Sequence, residues 1–507
     1  MTLRTISNRR MVLAAGSVLA TVLYAVDATI INVALPSMRG SLQASQDQIA
    51  WVLTSYVVVS AIATPPAAWF AARYGLRRVL AVSIVGFTFG SVLCGLATSL
   101  EELVLFRMLQ GGFGAALAPL SQVALLQEYP REKHGRVMAL WTVGVMVGPI
   151  IGPTLGGILT DALSWRWTFF INLPIGALAW LGVVEGLPAE HADHSRPFDW
   201  VGFVLLSLAL ALFQLMIDRG QMLDWFESGE ILAEGFFAAV FLYMFVVHMV
   251  TARHPFIEPG LFRDRNFVAA ILFMFIIGLS TLSPSLLIPS FLQSLQGYTP
   301  AQAGILLAAR GLAAVVAVII TGWVIDRIDP RFLLAAGVLA ASGSLVLLGG
   351  LAVDSPREQI VLVGFVQGFG TPMVLAPLSV VAYATLRTEQ RAEAGVMMTL
   401  SRSIGSSIGI SLAVAALARS TQVNQSYLAE HFTAYDVERL QVIGGAPAAN
   451  AGTAGLLSEI GRQAAAIAYS NDFHLIAVAT LAALPLVWFM KVHRGRKLTP
   501  AEIGELG

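Results

Sequence analysis

LWTVGVMVGPIIGPTLGG, the segment from Leu140 to Gly157, is an apolar stretch in which glycine recurs at every fourth position. The glycines of this repeat are Gly144, Gly148, Gly152 and Gly156. On an α-helix they form one face nearly free of side chains, and such a face lets two helix backbones approach closely in a lipid bilayer. Pro149 and Pro153 each follow a glycine and permit a bend, which membrane helices tolerate. The segment therefore predicts a membrane-spanning helix that is either a tight packing element or a hinge.

The composition is that of a polytopic membrane protein. Of the 507 residues, 56% are hydrophobic and 12% are charged, whereas soluble globular proteins carry about 25% charged residues. The net charge of zero gives no indication of nucleic-acid binding. The single cysteine, Cys94, allows no intramolecular disulfide, and the histidines have no metal-ligand spacing. Because neither a phosphate-binding loop nor a nucleophile elbow occurs, we expect no enzyme activity, no cofactor and no metal site.

Fourteen apolar runs are long enough to cross a hydrocarbon core about 30 Å thick. They comprise residues 11–35, 49–70, 79–98, 103–127, 137–160, 167–186, 200–217, 231–250, 267–292, 303–325, 332–351, 359–384, 395–417 and 474–490. The first run is too long for a cleaved signal peptide, so we interpret it as a retained span. If the N-terminus is cytoplasmic, the inside segments hold about three times as many Lys and Arg residues as the outside loops. We therefore predict that both termini face the cytoplasm.

An internal repeat divides the chain into two halves. The letters APLS at Ala118–Ser121, in the fourth run, return at Ala376–Ser379 in the twelfth. Two six-span halves in parallel orientation are typical of transporters with a pseudo-twofold axis along the membrane normal. The predicted parts are a first half at 1–187, a linker with two inserted spans at 188–265, a second half at 266–492 with a long outside segment at 420–473, and a cytoplasmic tail at 493–507.

One carboxylate, Asp27, lies deep in a predicted span. An acid at that depth usually marks a proton or cation path, although a permanently neutralised structural aspartate is the alternative. Arg107 lies in the fourth span, with Gln110 one helical turn further on the same face. At 1.5 Å per residue Asp27 and Arg107 lie about 12 and about 6 Å below the outer boundary, which leaves them within reach of each other. A contact that forms and breaks between them would load and release a proton.

Several other polar residues are candidates for a substrate cavity. Arg402 lies well inside the thirteenth span, where its guanidinium needs an internal acceptor or a water-filled cavity. The remaining candidates are Asn32, Tyr56, Gln110, Gln122 and Gln214. Each of these, taken singly, is more often a satisfied interhelical hydrogen bond.

These features resemble the 14-helix drug:proton antiporters of the EmrB/QacA type in the major facilitator superfamily. The strings that carry the resemblance are the glycine-rich segment, VDATIINVALP at 26–36, LFRMLQGGFGAALAPLSQ at 105–122 and WRWTFFINLPIG at 165–176. DRGQMLDWF at 218–226 favours the EmrB branch. The resemblance implies an all-α major facilitator fold with two inserted helices. It also implies that Asp27 is the proton-linked acid, that Arg107 is its partner, and that the segment ending at Gly156 and Gly157 is the antiporter-motif helix.

The same resemblance implies a location and partners. It points to export of small hydrophobic compounds across a bacterial inner membrane, in exchange for protons. The EmrB branch works with a periplasmic membrane-fusion adaptor and an outer-membrane channel, which presupposes a Gram-negative cell. The segment 420–473 contains two stretches with helical spacing, 432–443 and 455–473. An apolar stripe in the second stretch comprises Leu456, Ile460, Ala464 and Ile467. We expect this segment to be either a cap on the transporter or a docking surface for the adaptor.

The loop after the second span departs from the pattern of the superfamily, which reads G-x-L-a-D-R-x-G-R-R. Ala68 and Ala72 replace its first glycine and its aspartate. The residues that remain are Arg73, Gly75, Arg77 and Arg78, and the second-half copy keeps Gly322, Asp326 and Arg327. We therefore expect the charge latch of the cytoplasmic gate to be carried by the second copy.

Three functions are compatible with these observations. A proton-driven exporter would need both the glycine-rich motif and the buried aspartate. A proton symporter for uptake would share the fold but would not need that motif. A polytopic membrane enzyme or a receptor would be expected to show acids or histidines clustered near one interface, and the sequence has none. The sequence therefore favours the exporter and leaves its substrate open.

Overall fold

The computed structural model describes residues 3–44, 46–188, 197–220, 223–253, 255, 257–325, 327–387, 390–430 and 449–490. Its α-helices are α1 (Leu3–Ser41), α2 (Gln46–Ala63), α3 (Pro66–Tyr74), α4 (Leu76–Leu96), α5 (Leu100–Gly114), α6 (Leu117–Glu128), α7 (His134–Ala162), α8 (Trp167–Phe170), α9 (Asn172–Gly186), α10 (Trp200–Arg219), α11 (Gly229–Thr251), α12 (Arg265–Ser294), α13 (Pro300–Val324), α14 (Pro330–Gly349), α15 (Arg357–Ala384), α16 (Arg391–Glu430), α17 (Ala449–Leu481) and α18 (Leu484–Phe489). Three short 3₁₀ turns lie between them, and no strand occurs in these ranges. The predicted all-α membrane fold is confirmed.

Every predicted span coincides with one helix or with a pair of consecutive helices. Within the described ranges, twelve helices are long and apolar enough to cross a membrane, or thirteen when α2 and α3 count as one bent span. The glycine-rich helix α7 is not among those thirteen, although it occupies the place of the fifth predicted span. The total of fourteen is therefore compatible with the fold and stays a prediction.

Four of the predicted spans are each divided between two helices, and one of them is the sixth, which is divided at Ile171 between α8 and α9. The second bends by 52° between α2 and α3, next to Pro65 and Pro66, whose rings cannot continue the backbone hydrogen bonds. The fourth is divided at Ala115 and Ala116 into α5 and α6, and the last is divided between α17 and α18. Such breaks are tolerated at membrane depth where protein surrounds them.

The packing of the first six spans recurs among the last six. The most extensive contact in the first half joins α1 to α7, and in the second half it joins α12 to α16, the corresponding pair. The contact of α2 with α5 likewise recurs as the contact of α13 with α15. Between the halves, α7 packs against α13 and α15. This is the arrangement that a parallel structural repeat produces.

The buried apolar residues form one core that joins both halves and two cores that do not. We call the side of the bundle near Leu13, in the first half of α1, and Met490, the last described residue, the terminus side. The core on that side contains residues of the first half, such as Leu120, together with residues of the second, such as Leu378. On the opposite side the first half has its own core around Ile30, and the second half has another, around residues 287–295. The bundle is therefore closed on the terminus side and divided on the other.

The inserted helices α10 and α11 lie on one flank of the bundle. Helix α10 packs against α2 of the first half and α16 of the second, and the Ser411 hydroxyl donates to the Ile217 carbonyl oxygen at 3.2 Å. Helix α11 packs mainly on α10 and keeps few buried side chains. Asp199 caps α10 by accepting from the Gly202 amide and lies 2.9 Å from the His248 ring. The insertion thus covers one seam between the two halves.

Helices α16 and α17 are much longer than a bilayer requires. They contain 40 and 33 residues, or about 60 and about 50 Å at 1.5 Å per residue, against a hydrocarbon core about 30 Å thick. The two pack together, and the Asn471 amide reaches the Ser420 hydroxyl at 3.4 Å. Because the helices are antiparallel, the end of α16 after Ser420 and the start of α17 before Asn471 form a helical projection on the side opposite the termini.

The predicted apolar stripe of the outside segment is partly wrong. Ile460 and Ala464 are buried as expected, but Ile467 is 41% exposed. Ala468 is buried in its place, because the residue four positions after Ala464 lies over the same face. The side chain of Leu456 and the predicted helix at 432–443 lie outside the description that the structure gives.

Candidate functional site

A closed hydrogen-bond network surrounds the Asp27 carboxylate in the middle of α1. Arg107 Nη1 donates to Oδ2 at 2.7 Å, and Gln110 Nε2 donates to Oδ1 at 2.8 Å. Asn172 Nδ2 also donates to Oδ1, at 3.1 Å. All four side chains are at most 1% exposed. A carboxylate so far from water needs such partners, because an unpaired buried charge is strongly destabilising.

Arg107 is held by more than its ion pair. Its Nε donates to the Val52 carbonyl oxygen at 3.2 Å, and its Nη1 also donates to Gln110 Oε1 at 2.7 Å. The guanidinium carbon lies 4.0 Å from the ring centroid of Tyr56, a cation–π contact. Arg107 therefore keeps an aromatic and two neutral acceptors on α2 and α5 that do not depend on the charge of Asp27.

Glycines on α5 bring these partners together. A Cβ at Gly111 would lie 2.6 Å from the Tyr56 carbonyl oxygen, and one at Gly114 would lie 3.2 Å from the Tyr56 hydroxyl. The predicted face of α5, with Arg107 and Gln110 one turn apart, is thus the face that contacts α2 and α1. The Tyr56 hydroxyl is buried and has no hydrogen-bond partner among the described residues.

The glycine stripe of α7 packs against α1 on both sides of Asp27. A Cβ at Gly144 would lie 3.0 Å from the Val18 carbonyl oxygen, and one at Gly156 would lie 2.5 Å from that of Ile30. Between them Gly148 abuts the Ala25 carbonyl, and Gly152 abuts the Thr29 side chain. The Thr29 hydroxyl donates to the Gly148 carbonyl oxygen at 2.8 Å. Helix α7 runs unbroken through Pro149 and Pro153 and includes Gly157, while the side chains of both prolines lie outside the description.

The tight contact of the stripe predicts that a methyl group added at Gly148 slows transport. Gly148→Ala should lower transport by about ten-fold or more, because the added Cβ meets the Ala25 backbone. Overpacking of this kind costs about 1–3 kcal/mol, and about 1.4 kcal/mol corresponds to a factor of ten. Gly343→Ala on α14, where no atom lies within 4 Å of the added Cβ, is the matched control. Transport rates in vesicles check both variants, and equal rates would show that α7 and α1 separate in the rate-limiting state.

The first-half gate residues have aromatic neighbours instead of the missing aspartate. The Arg73 guanidinium lies 5.4 Å from the ring centroid of Trp69, which in turn packs edge-on against Phe198. Gly75 separates α3 from α4 with φ of 89°, a conformation that glycine adopts without strain. Two further arginines of the motif, Arg77 half-buried and Arg78 exposed, open α4.

The second-half gate residues line a cleft between α7 and α13. Gly322 faces Ala139 of α7, and Arg327 lies at the rim with Arg136, around a volume of about 570 Å³. Asp326 lies outside the described residues. The latch assigned to the second copy therefore stays a prediction.

The polar cavity candidates do not share one location. Gln122 donates from Nε2 to the Ser379 hydroxyl at 2.8 Å and accepts from the Tyr383 hydroxyl at 3.2 Å, so it joins the two halves in the closed terminus side. Gln214 is buried on α10. Arg402 is half-buried on α16, and the side chain of Asn32 lies outside the description. Tyr56 and Gln110 belong to the Asp27 network.

Two buried polar residues were not found from the sequence. Asn172 binds Asp27 and also donates to the Ser91 hydroxyl at 2.9 Å. Asn172 is a lone amide in an apolar stretch, which was a usable signal. Asp472 is 2% exposed and keeps one carboxylate oxygen without a partner among the described residues. The sequence placed Asp472 in the outside segment, but α17 continues without a break into the last span.

Known proteins resemble this chain in both fold and sequence. Residues 17–410 match the Major Facilitator Superfamily. Fatty acid resistance protein FarB of Neisseria gonorrhoeae is 33% identical over 93% of this chain and 94% of the relative. Multidrug export protein EmrB is 34% identical in Haemophilus influenzae and 31% identical in Escherichia coli, with the same coverage. The human organic anion transporter MFSD10 has a similar fold, with a TM-score of 0.58 at 14% identity over 93% of this chain and 99% of that chain. The chain therefore belongs to the major facilitator superfamily and, within it, to the EmrB-like drug transporters.

Proposed function

We propose that this protein is a proton-coupled antiporter that exports hydrophobic or amphipathic compounds across a bacterial inner membrane. The observation that carries the proposal is the Asp27 carboxylate, buried in a network with Arg107, Gln110 and Asn172. The glycine stripe of α7 packs on the same helix. Relatives with names that state drug export or fatty acid resistance support the direction of transport.

The coupling follows from the charge of Asp27. When the carboxylate is ionised, it holds α1 to α5 through Arg107 and to α9 through Asn172. A proton on Asp27 removes the charge that Arg107 pairs with, while the Val52 carbonyl and the Tyr56 ring still accept the guanidinium. Protonation therefore weakens the tie between α1 and α5 without leaving Arg107 unpaired.

The movement that this release permits is a displacement of α1 and α7 against the other helices. The stripe from Gly144 to Gly156 gives these two helices a smooth, close contact. Transporters of this architecture alternate their access by rocking one half against the other. The closed core of the terminus side, with Gln122 bonded to Ser379, is the contact that must open for substrate to enter from the cytoplasm.

A vesicle assay tests this function. Inside-out vesicles that are more acidic inside than outside should take up a hydrophobic dye in exchange for protons. A protonophore should stop this uptake. Uptake without a gradient, or a substrate that moves in the same direction as the protons, would contradict antiport; the second result would assign a symporter. Vesicles without the protein give the background.

We further propose that the protein is the permease of a tripartite pump, with N- and C-termini in the cytoplasm. The projection of α16 and α17 beyond Ser420 and Asn471 lies on the side opposite the termini, where a periplasmic adaptor would meet it. In α16 most side chains from 421 to 430 are exposed. This is the surface we assign to the adaptor, and an outer-membrane channel would complete the path.

Shortening the projection should separate assembly from transport. Replacing residues 425–455 with a short flexible linker keeps Ile460 and Ala464 buried against the second half. We expect this variant to transport dye in vesicles at the wild-type rate but to lose adaptor pull-down and cellular resistance. The control carries the same linker inserted between Glu227 and Ser228, on the same predicted side. Retention of pull-down and resistance by the shortened protein would show that the adaptor binds elsewhere.

A further inference from the structure

The second half contains a counterpart of the Asp27 network, built from different residues. Gln110 and Gly111 of α5 are echoed by Gln367 and Gly368 of α15. A Cβ at Gly111 would meet the Tyr56 carbonyl oxygen at 2.6 Å, and Gly368 abuts the Arg310 carbonyl oxygen in the same way. Arg310 on α13 therefore stands where Tyr56 stands on α2.

The same correspondence shows that the acid is missing. Gly148 of α7 abuts the Ala25 carbonyl, two residues before Asp27, and Gly405 of α16 abuts the Phe275 carbonyl, two residues before Ile277. Ile277 therefore takes the place of Asp27. The position three residues before Gln367, where the first half has Arg107, is occupied by Gly364. The second half thus has no carboxylate at this place, and its cation lies on the second span of the half instead of the fourth.

These residues enclose a small polar cavity. Its lining residues are Ile277, Ser280, Thr281, Arg310, Ala341, Leu345, Gln367 and Thr371. Its volume of about 20 Å³ holds roughly one water molecule. Arg310 Nη1 donates to the Ser285 hydroxyl at 3.0 Å, a single neutral partner among the described residues for a group with five donors. Gln367 Oε1 is buried without a partner among the described residues, so the amide is free to turn its NH₂ group toward the cavity.

A second cation lies close by without a counter-ion. Arg402 on α16 has its carbonyl against Gly278, the residue after Ile277, and its side chain is half-buried. In the described ranges neither Arg310 nor Arg402 makes an ion pair, since the acidic partners in ion pairs are Asp27, Asp199, Glu230, Glu234, Glu258 and Glu459. Two half-buried guanidinium groups without carboxylate partners among the described residues attract an anion.

We propose that Arg310 binds the carboxylate of an amphipathic organic acid during export, with Gln367 as a second donor and Arg402 as a flanking charge. The apolar tail would lie toward Ile277 and Leu345, which line the same cavity. The one-water volume means that the head group replaces that water. This proposal rests on the proposed export function and names its substrate class.

Binding to purified protein tests the proposal without requiring transport. The probe is laurate, compared with dodecanol, which has the tail without the charge, and with acetate, which has the charge without the tail. Arg310→Gln should weaken laurate binding by about ten-fold or more, the effect of losing a charge-assisted hydrogen bond. Arg310→Lys should restore part of it, and dodecanol binding should not change. Arg357→Gln, at an exposed arginine that opens α15, is the matched control.

Transport of a cationic dye separates this proposal from the proposed function. Arg310→Gln should keep proton-driven export of the dye while it loses export of laurate. Equal loss of dye and laurate would make Arg310 a structural residue and overturn the proposal. Laurate binding that does not depend on Arg310, or acetate binding as tight as laurate binding, would also overturn it. If the wild-type protein exports nothing in a pH gradient, the proposed function fails, whatever the binding data show.

Discussion

The Asp27→Asn variant should insert and fold but lose all export that is driven by a pH gradient. Asparagine keeps the shape of the side chain, and its single amide oxygen can still accept from one of the two donors, either Arg107, which donates to Oδ2 of the carboxylate at 2.7 Å, or Gln110, which donates to Oδ1 at 2.8 Å. It cannot titrate, so the helix contacts no longer respond to protons. Dye uptake into inside-out vesicles measures the loss, and exchange of dye at equal pH on both sides should survive.

A matched acid outside the network provides the control. Glu234 on α11 is largely buried and paired with Arg219 at 3.4 Å, but it lies in the inserted helices. Glu234→Gln should leave gradient-driven uptake close to the wild-type rate. If Asp27→Asn still exports dye when a pH gradient drives it, Asp27 is a structural residue. Asp472, which has one carboxylate oxygen without a partner among the described residues, then becomes the next candidate.

Arg107→Met should be strongly destabilising. It removes the cation while Asp27 and Gln110 remain fully buried. Removing one partner of a buried ion pair costs about 3–5 kcal/mol, because the other charge is left without compensation. The midpoint of thermal unfolding in detergent should fall accordingly, and the protein should be rescued by adding Asp27→Asn.

The double variant distinguishes stability from coupling. Asp27→Asn with Arg107→Met should recover most of the lost stability but none of the proton-driven transport. If the single Arg107→Met variant unfolds at the wild-type temperature, Asp27 is protonated in the resting protein and the ion pair is not its ground state. If the double variant is as unstable as the single one, Arg107 stabilises the fold through Val52 and Tyr56 instead.

The sequence predicted the spans and the pair at the centre of the site better than the surroundings of that pair. Apolar run length locates helices because the bilayer sets their length. A lone acid and a lone arginine in such runs have few neighbours to choose from, so Asp27 and Arg107 could be matched by depth. Asn172 escaped because its contact with Asp27 depends on how α9 packs against α1, and no local pattern encodes that packing.

Other predictions were wrong at the boundaries of helices. Asp472 was placed outside the membrane because the last apolar run was short, whereas α17 and α18 form one longer candidate span, from Ser458 to Phe489. The break between α2 and α3 was visible in the proline pair after Thr64, but hydropathy alone joins the two helices. That Ile277 takes the place of an acid could be recognised only by matching the glycine contacts of the two halves.

The uncompensated charge of Arg310 also bears on the energy source of export. For one proton moving inward and one monovalent anion moving outward, two charges cross the membrane in the electrically favoured sense. At a potential of about 100 mV, inside negative, each charge contributes about 2.3 kcal/mol, so such an exchange gains about 4.6 kcal/mol from voltage alone. One-for-one exchange of a proton for a monovalent cation gains nothing from voltage. A carboxylate held by Arg310 would thus be expelled even when the pH gradient has collapsed, whereas a cationic dye would not.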